Sequence, residues 1–270
     1  MYTAIFLIEN IIISSLLYIY LHRKTRISLK YLYIDNIIII GFSTLINLIL
    51  IKYLSFINPV LISLFNVPLI LGLAFTLTMI RFWRTPQRKI KAKQNEIISP
   101  ADGNIIYIKK IEKGTVPLSV KENVTATLHE FINTELLNTP CWIIGINMTP
   151  FDVHKNCAPI NGEIISINKF KGQFLSLKNP DVYGQNERTS IVIKNEELSV
   201  GVVQTASKLV RRIDTYKNIG DQIKKGEWYG MIRFGSQVDL ILPDFCSIKV
   251  NIGDQIYASQ TILASYENIN

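Results

Sequence analysis

Three side chains that could act together stand in order along this 270-residue chain: Asp102, His154 and Ser236. A serine hydroxyl is a weak nucleophile until a neighbouring base takes its proton, and a carboxylate can fix the tautomer of that base. Ser236 follows Gly235 between two apolar runs, Tyr229–Phe234 and Val238–Leu242. Read locally, the segment is a strand, a tight turn and a second strand, with glycine supplying an unusual dihedral. Asp102 lies in Pro100-Ala101-Asp102-Gly103, where an aspartate can simply satisfy turn amides. His154 lies in a proline-bounded loop, Pro150–Pro159, the kind of segment where functional residues gather. Of the other two histidines, His22 flanks an apolar run and His129 has no motif around it. The Gly-x-Ser-x-Gly elbow is absent around Ser236, so an ordinary serine hydrolase has no motif to support it.

The elements that must position these residues fall into two parts. A mean hydropathy of +0.23 averages a strongly apolar stretch, 1–80, with an ordinary globular one, 81–270. Apolar runs near 3–21, 35–54 and 57–80 each approach the ~20 residues needed to span a hydrocarbon core. The first holds Glu9 and Asn10, which makes it the weakest span, and the third holds Pro59 and Pro68. Two or three transmembrane helices are therefore expected. The first run lacks the basic start and small-residue cleavage site of a signal peptide.

Much of the net charge of +8 lies beside these runs, at Arg23, Lys24, Arg26 and Lys30 and again at Arg81, Arg84, Arg88, Lys89, Lys91 and Lys93. Basic loops stay inside, so residues 81–270 are expected on the cytoplasmic side of the cell (inner) membrane. Such flanks point to topology and anionic lipid, and no nucleic-acid signature is present. Trp83 falls where an interfacial aromatic would sit. Cys141, Cys157 and Cys246 show no metal-ligand spacing, and an odd number suits a reducing compartment.

Residues 81–270 read as mainly β. Nine short β-branched runs recur: 104–111, 142–147, 162–167, 190–193, 198–203, 229–234, 238–242, 247–251 and 261–265. Ala126–Leu137 is the one plausible helix. Two repeats stand out. Pro100-Ala101-Asp102-Gly103-Asn104-Ile105-Ile106 echoes Pro159-Ile160-Asn161-Gly162-Glu163-Ile164-Ile165, and Ile219-Gly220-Asp221-Gln222-Ile223 recurs as Ile252-Gly253-Asp254-Gln255-Ile256. The expected fold is a barrel-sandwich-like β domain with paired hairpin repeats, preceded by transmembrane helices.

Seven segments in order give the chain a family resemblance. They are Arg81–Arg88, Ser99–Gly103, Pro150–Pro159, Gly172–Phe174, Asn186–Arg188, Arg211–Ile213 and Gly230–Ser236. With them the chain resembles the phosphatidylserine decarboxylase proenzymes, in their short, archaeal-like branch. The resemblance implies self-cleavage between Gly235 and Ser236, giving a β chain, 1–235, and an α chain, 236–270. It implies that Ser236 becomes a covalent pyruvoyl group with no metal required. That group would form a Schiff base with the amine of phosphatidylserine in the membrane, and loss of carbon dioxide would give phosphatidylethanolamine. By the same analogy Asp102 orients His154, and His154 activates Ser236 and supplies the acid that protonates the carbanion.

Longer family members have a second histidine three positions on, and the short branch usually has arginine there. This chain has Cys157, read as a neutral substitution. Arg84 and Arg88 are candidates for holding the lipid phosphate, though topology charges account for them more simply. Arg211 and Arg212 are as readily structural as substrate-facing. Self-association into a homo-oligomer stays open. Two other classes compete: a non-enzymatic membrane adaptor with a biotinyl-like β sandwich, and a Ser-His-Asp lipid hydrolase.

Overall fold

A computed structural model describes residues 2–25, 27–53, 58–112, 115–117, 125–127, 137, 140–172, 186–206, 212–233 and 236–267. The chain divides into two compact units, Met1–Arg84 and Thr85–Asn270.

The first unit is three helices, α1 (Tyr2–Thr25), α2 (Leu29–Tyr53) and α3 (Pro59–Trp83). All three are long and apolar enough to cross a membrane. Asn58 caps α3: its side-chain oxygen accepts from Val60 N at 2.9 Å, and Pro59 takes the first turn, where its missing N–H costs nothing. The polar residues that weaken the first run face its neighbours. Asn10 donates to Thr44 Oγ1 at 3.1 Å, and Glu9 Oε2 accepts from Asn66 Nδ2 at 2.9 Å and Ser63 Oγ at 3.0 Å. Asn66 Oδ1 in turn accepts from Asn47 Nδ2 at 2.8 Å. In hydrocarbon such groups need partners, and here they join the three helices. The second helix starts six residues before its expected onset, with Ser28 at its start accepting from Lys30 N through Oγ at 3.2 Å and from Tyr31 N through its carbonyl at 3.0 Å. Buried Asp35 within it is paired with the Arg81 fork.

The second unit is β-rich. Its strands are β1 (Glu96–Ile98), β2 (Gly103–Ile111), β3 (Thr115–Pro117), β4 (Thr125–Thr127), β5 (Cys141–Met148) and β6 (Lys155–Cys157). They continue with β7 (Gly162–Phe170), β8 (Arg188–Lys194), β9 (Ser199–Ala206), β10 (Arg212–Thr215) and β11 (Gln222–Ile223). The last are β12 (Trp228–Arg233), β13 (Ser236–Pro243), β14 (Ser247–Ile248), β15 (Gln255–Ile256) and β16 (Ile262–Ser265). An antiparallel eight-stranded sheet runs β11-β7-β8-β9-β13-β5-β2-β15. Smaller sheets are β10-β12-β6, β1-β16-β14 and β3-β4. The main core gathers Ile144, Ile146, Val202, Val238 and Leu240 from the large sheet with Ile232 and Leu263 from the small ones.

Each of the nine expected segments contains a strand, though of 247–251 only Ser247–Ile248 is one, and Phe234 of 229–234 lies outside the described residues. Of the expected helix, Ala126 and Thr127 belong to β4, and 128–136 lie outside the described residues. The repeats pair crosswise. The first Pro-Ala-Asp-Gly copy opens β2, which takes β15 from the second Gly-Asp-Gln-Ile copy, in register Gln255↔Asn104. The Pro-Ile-Asn-Gly copy opens β7, which takes β11 from the first, in register Gln222↔Glu163. The match extends to single bonds: Ile105 N donates to Asp254 O and Ile164 N to Asp221 O, both at 3.0 Å. Bulges interrupt both long strands at equivalent points, within Ile105–Tyr107 and Ile164–Ser166. Gly220 (φ 91°) and Gly253 (φ 95°) turn each copy in a left-handed conformation that only glycine adopts cheaply. The two edges of the sheet are thus built alike, and departures between them identify residues with a further task.

Candidate active site

Asp102 sits in the turn before β2 and is 1% exposed. Its Oδ1 accepts from Ala258 N at 2.8 Å. The matching bond in the other repeat runs from Lys225 N to Asn161 Oδ1, also at 2.8 Å. The turn therefore needs an oxygen at this place but no charge. The charge of Asp102 is met by Arg88, whose Nη1 and Nη2 donate to Oδ1 and Oδ2, the second at 2.7 Å. Oδ2 also faces Val153 N at 3.4 Å.

His154 ends a tight loop that springs from β5. Asp152 Oδ2 accepts from both Thr149 N and Thr149 Oγ1 at 2.7 Å, and Asp152 N donates to Thr149 O at 2.9 Å. Phe151 and Val153 bury the loop, and His154 is itself fully buried. Ile232 N donates to His154 O at 3.1 Å, fastening the residue to β12. His154 Nδ1 lies 2.9 Å from Asp152 O. A carbonyl only accepts, so Nδ1 holds the proton, and Nε2 is the basic nitrogen of the neutral ring. This backbone carbonyl is one contact that orients the ring. Asp102 reaches the loop one residue earlier, through Val153 N.

Ser236 begins β13, with its backbone in register with Met148 on β5 and Ala206 on β9. Met148 is the residue from which the His154 loop departs, so sheet register brings the serine backbone to the base of that loop. Gly235 and the Ser236 side chain lie outside the described residues. The flanking strands do not pair with each other: β12 belongs to the sheet with β6 and β10, and β13 to the large sheet. The two strands that flank the Gly-Ser position thus lie in different sheets and form no hairpin.

Other expected residues find partners too. Arg84 Nη2 donates to Tyr31 Oη at 3.0 Å within the helical unit. Arg212 and Arg233 hold Asp214 at 2.6 and 2.7 Å. Burial pushes the Asp214 carboxyl up, but the two guanidinium groups outweigh it and leave it below its ordinary value. Arg211 and the Gln173-Phe174 segment lie outside the described residues. Cys157 is fully buried, and burial pushes its thiol up to about 11. It stays protonated at neutral pH, unlike a nucleophilic thiolate. No set of three His, Cys, Asp or Glu side chains suited to a metal occurs among the described residues.

A cluster outside the motif reading lies further along the Ser236 strand. Asp239 is buried, bonded to Tyr107 Oη and to Gln237 Nε2, the latter at 2.8 Å. Burial pushes it up to about 6, against those two hydrogen bonds. An unfolded aspartate titrates near ~3.9, so between about 4 and 6 the unfolded chain gives up a proton that the folded chain keeps. Stability falls as pH rises through that window, by on the order of 2–3 kcal/mol once above it. Asp239→Asn should therefore raise Tm at pH 8 and have little effect at pH 4. An equal shift at both pH values in thermal unfolding would contradict this origin.

Fold and site together define a class: three membrane-type helices followed in the chain by a β domain, with an aspartate turn and a buried histidine loop near the backbone of a serine-led strand. Comparison with known proteins supplies the family. The family model for phosphatidylserine decarboxylase matches residues 75–264. A protein of Methanocaldococcus jannaschii assigned as an archaetidylserine decarboxylase proenzyme is 39% identical over 188 residues, covering 70% of this chain and 89% of that protein. Phosphatidylserine decarboxylase proenzymes of Cupriavidus pinatubonensis and Burkholderia vietnamiensis are 33% and 36% identical, covering 72% and 70% of this chain and 81% and 79% of theirs. The chain belongs to the phosphatidylserine decarboxylase family and is a membrane-associated decarboxylase. The adaptor and hydrolase readings are not favoured.

Proposed function

We propose that the chain is a self-processing decarboxylase of serine phospholipids. Residues 1–80 would anchor it, and the basic flanks support a cytoplasmic position for residues 81–270. The observation that carries the reading is the convergence at one end of the sheet. The Asp102 turn is bonded to the His154 loop through Val153 N, and that loop leaves β5 beside the backbone of Ser236.

His154 Nε2 takes the proton of the Ser236 hydroxyl, and the oxygen attacks the Gly235 carbonyl carbon. The peptide bond gives way to an ester. β-Elimination, with loss of the Ser236 Cα proton, would free chain 1–235 as a carboxylate and leave residue 236 as a dehydroalanine, whose imine tautomer takes up water and releases ammonia to give a pyruvoyl group. A pyruvoyl group at residue 236 would supply the carbonyl with which the lipid amine condenses, with release of water, and which accepts the electron pair as carbon dioxide leaves. His154, protonated, would return a proton to the lipid carbon. The buried Val153 and Phe151 around it limit water, which would otherwise compete for that proton.

Hydroxylamine, which captures reactive carbonyls, should abolish phosphatidylethanolamine formation from phosphatidylserine vesicles. Undiminished turnover in its presence would rule out the carbonyl mechanism.

A further inference from the structure

We infer that Arg88 is a positioning residue for self-cleavage, acting through Asp102, and not a ligand of the lipid phosphate. The inference rests on the self-processing reading above. It comes from the two equivalent turns. Asn161 performs the backbone bond of Asp102 with a neutral amide, so the carboxylate is not required by the fold at that turn. A carboxylate 1% exposed needs a counter-charge, and Arg88, itself 11% exposed, meets it with both ends of its fork.

The same guanidinium closes a ring. Arg88 Nη1 donates to Ala258 O at 2.8 Å, while Ala258 N donates to Asp102. The Tyr257 ring packs against the guanidinium, its centroid 5.8 Å from Cζ. Arg88 thereby ties its own segment to the Asp102 turn and to residues 257–258. The plane of the carboxylate is set by the fork, and its Oδ2 is left toward Val153 N, next to His154. Both Nη atoms are engaged in these bonds, which opposes their use on a phosphate. Lysine would keep the charge but lose the planar fork.

Self-cleavage consumes no phosphatidylserine, so it separates the two roles. Full-length chain made by cell-free synthesis in detergent micelles would be followed by intact mass over time. The cleaved fraction would then be assayed for KM with phosphatidylserine. Arg88→Lys should slow cleavage about tenfold or more and leave KM within about twofold, since misplacing one catalytic group by a fraction of an ångström costs that much. Lys225→Met is the control. Lys225 is the buried cation of the other repeat, donating to Lys93 O and Glu96 O at 2.6 Å and Gln94 O at 3.0 Å, and its loss should lower Tm but leave cleavage at the wild-type rate.

Wild-type cleavage in Arg88→Lys would overturn the inference, and a raised KM beside it would assign Arg88 to the phosphate. Cleavage slowed in proportion to lost Tm in both variants would also overturn it, as a purely structural effect. A wild-type chain that never cleaves would instead refute the self-processing reading.

Discussion

Ser236→Ala should leave a single uncut chain of 30.8 kDa that releases no carbon dioxide from phosphatidylserine. The substitution removes one oxygen and little else. The residue's place in the sheet depends on backbone pairing with Met148 and Ala206, which alanine preserves. Loss of folding is therefore not expected, and matching Tm values would confirm it. Without the hydroxyl no ester can form, and without the ester no carbonyl group arises at residue 236. Deleting the nucleophile of a serine catalyst costs on the order of 10⁶ in rate, and here the cleavage and the decarboxylation should be lost together. A hydrolase would separate them: its uncut serine would react with a fluorophosphonate probe, whereas the mature short chain would present no hydroxyl to label. Activity persisting in the alanine variant would show that another residue provides the carbonyl.

The second large effect is expected at His154. His154→Ala should slow cleavage by about 10²–10⁴-fold, the usual contribution of a positioned base. The side chain is wholly buried, and its Nδ1 contact with Asp152 O accounts for only about 1 kcal/mol of stability. The loop keeps its own brace from Asp152 to Thr149, so the backbone should survive the change. Time-resolved intact mass after cell-free synthesis measures this directly. Maturation at the wild-type rate would place the base elsewhere. The absence of a second histidine, with a protonated Cys157 in its place, means that slow-maturing material should also decarboxylate poorly once cut.

Much of this architecture is legible in the sequence because the governing pattern is local. Runs such as 142–147 and 238–242 are apolar and β-branched, and they form β5 and β13 with only their ends extended. What is not local is missed. Strand β10, Arg212–Thr215, reads as polar because Arg212 and Asp214 satisfy one another on it, with Arg233 from β12 completing the set. Strands β11 and β15 are two residues long, and only their repeated letters give them away. The repeat is plain in the sequence, but its crosswise pairing is not, because register is fixed by partners ~60 to 150 residues apart.

The same division holds for the site. Asp102, His154 and Ser236 stand out by residue type and motif. One link between the Asp102 turn and the His154 loop is the contact of Val153 N with Asp102, a backbone contact no side-chain pattern encodes. Arg88 reads as one more cation in a basic flank, and only its fork on Asp102 separates it from Lys89 and Lys91. Asp239 looks like an ordinary exposed alternation in a strand, yet it is buried beneath the Tyr107 hydroxyl.

The most direct measurement is the intact mass of the protein purified from membranes under denaturing conditions. Self-processing predicts two chains joined at no covalent bond, the shorter beginning at residue 236 and lacking a free amine. A single 30.8 kDa chain that nonetheless converts phosphatidylserine to phosphatidylethanolamine would contradict the account.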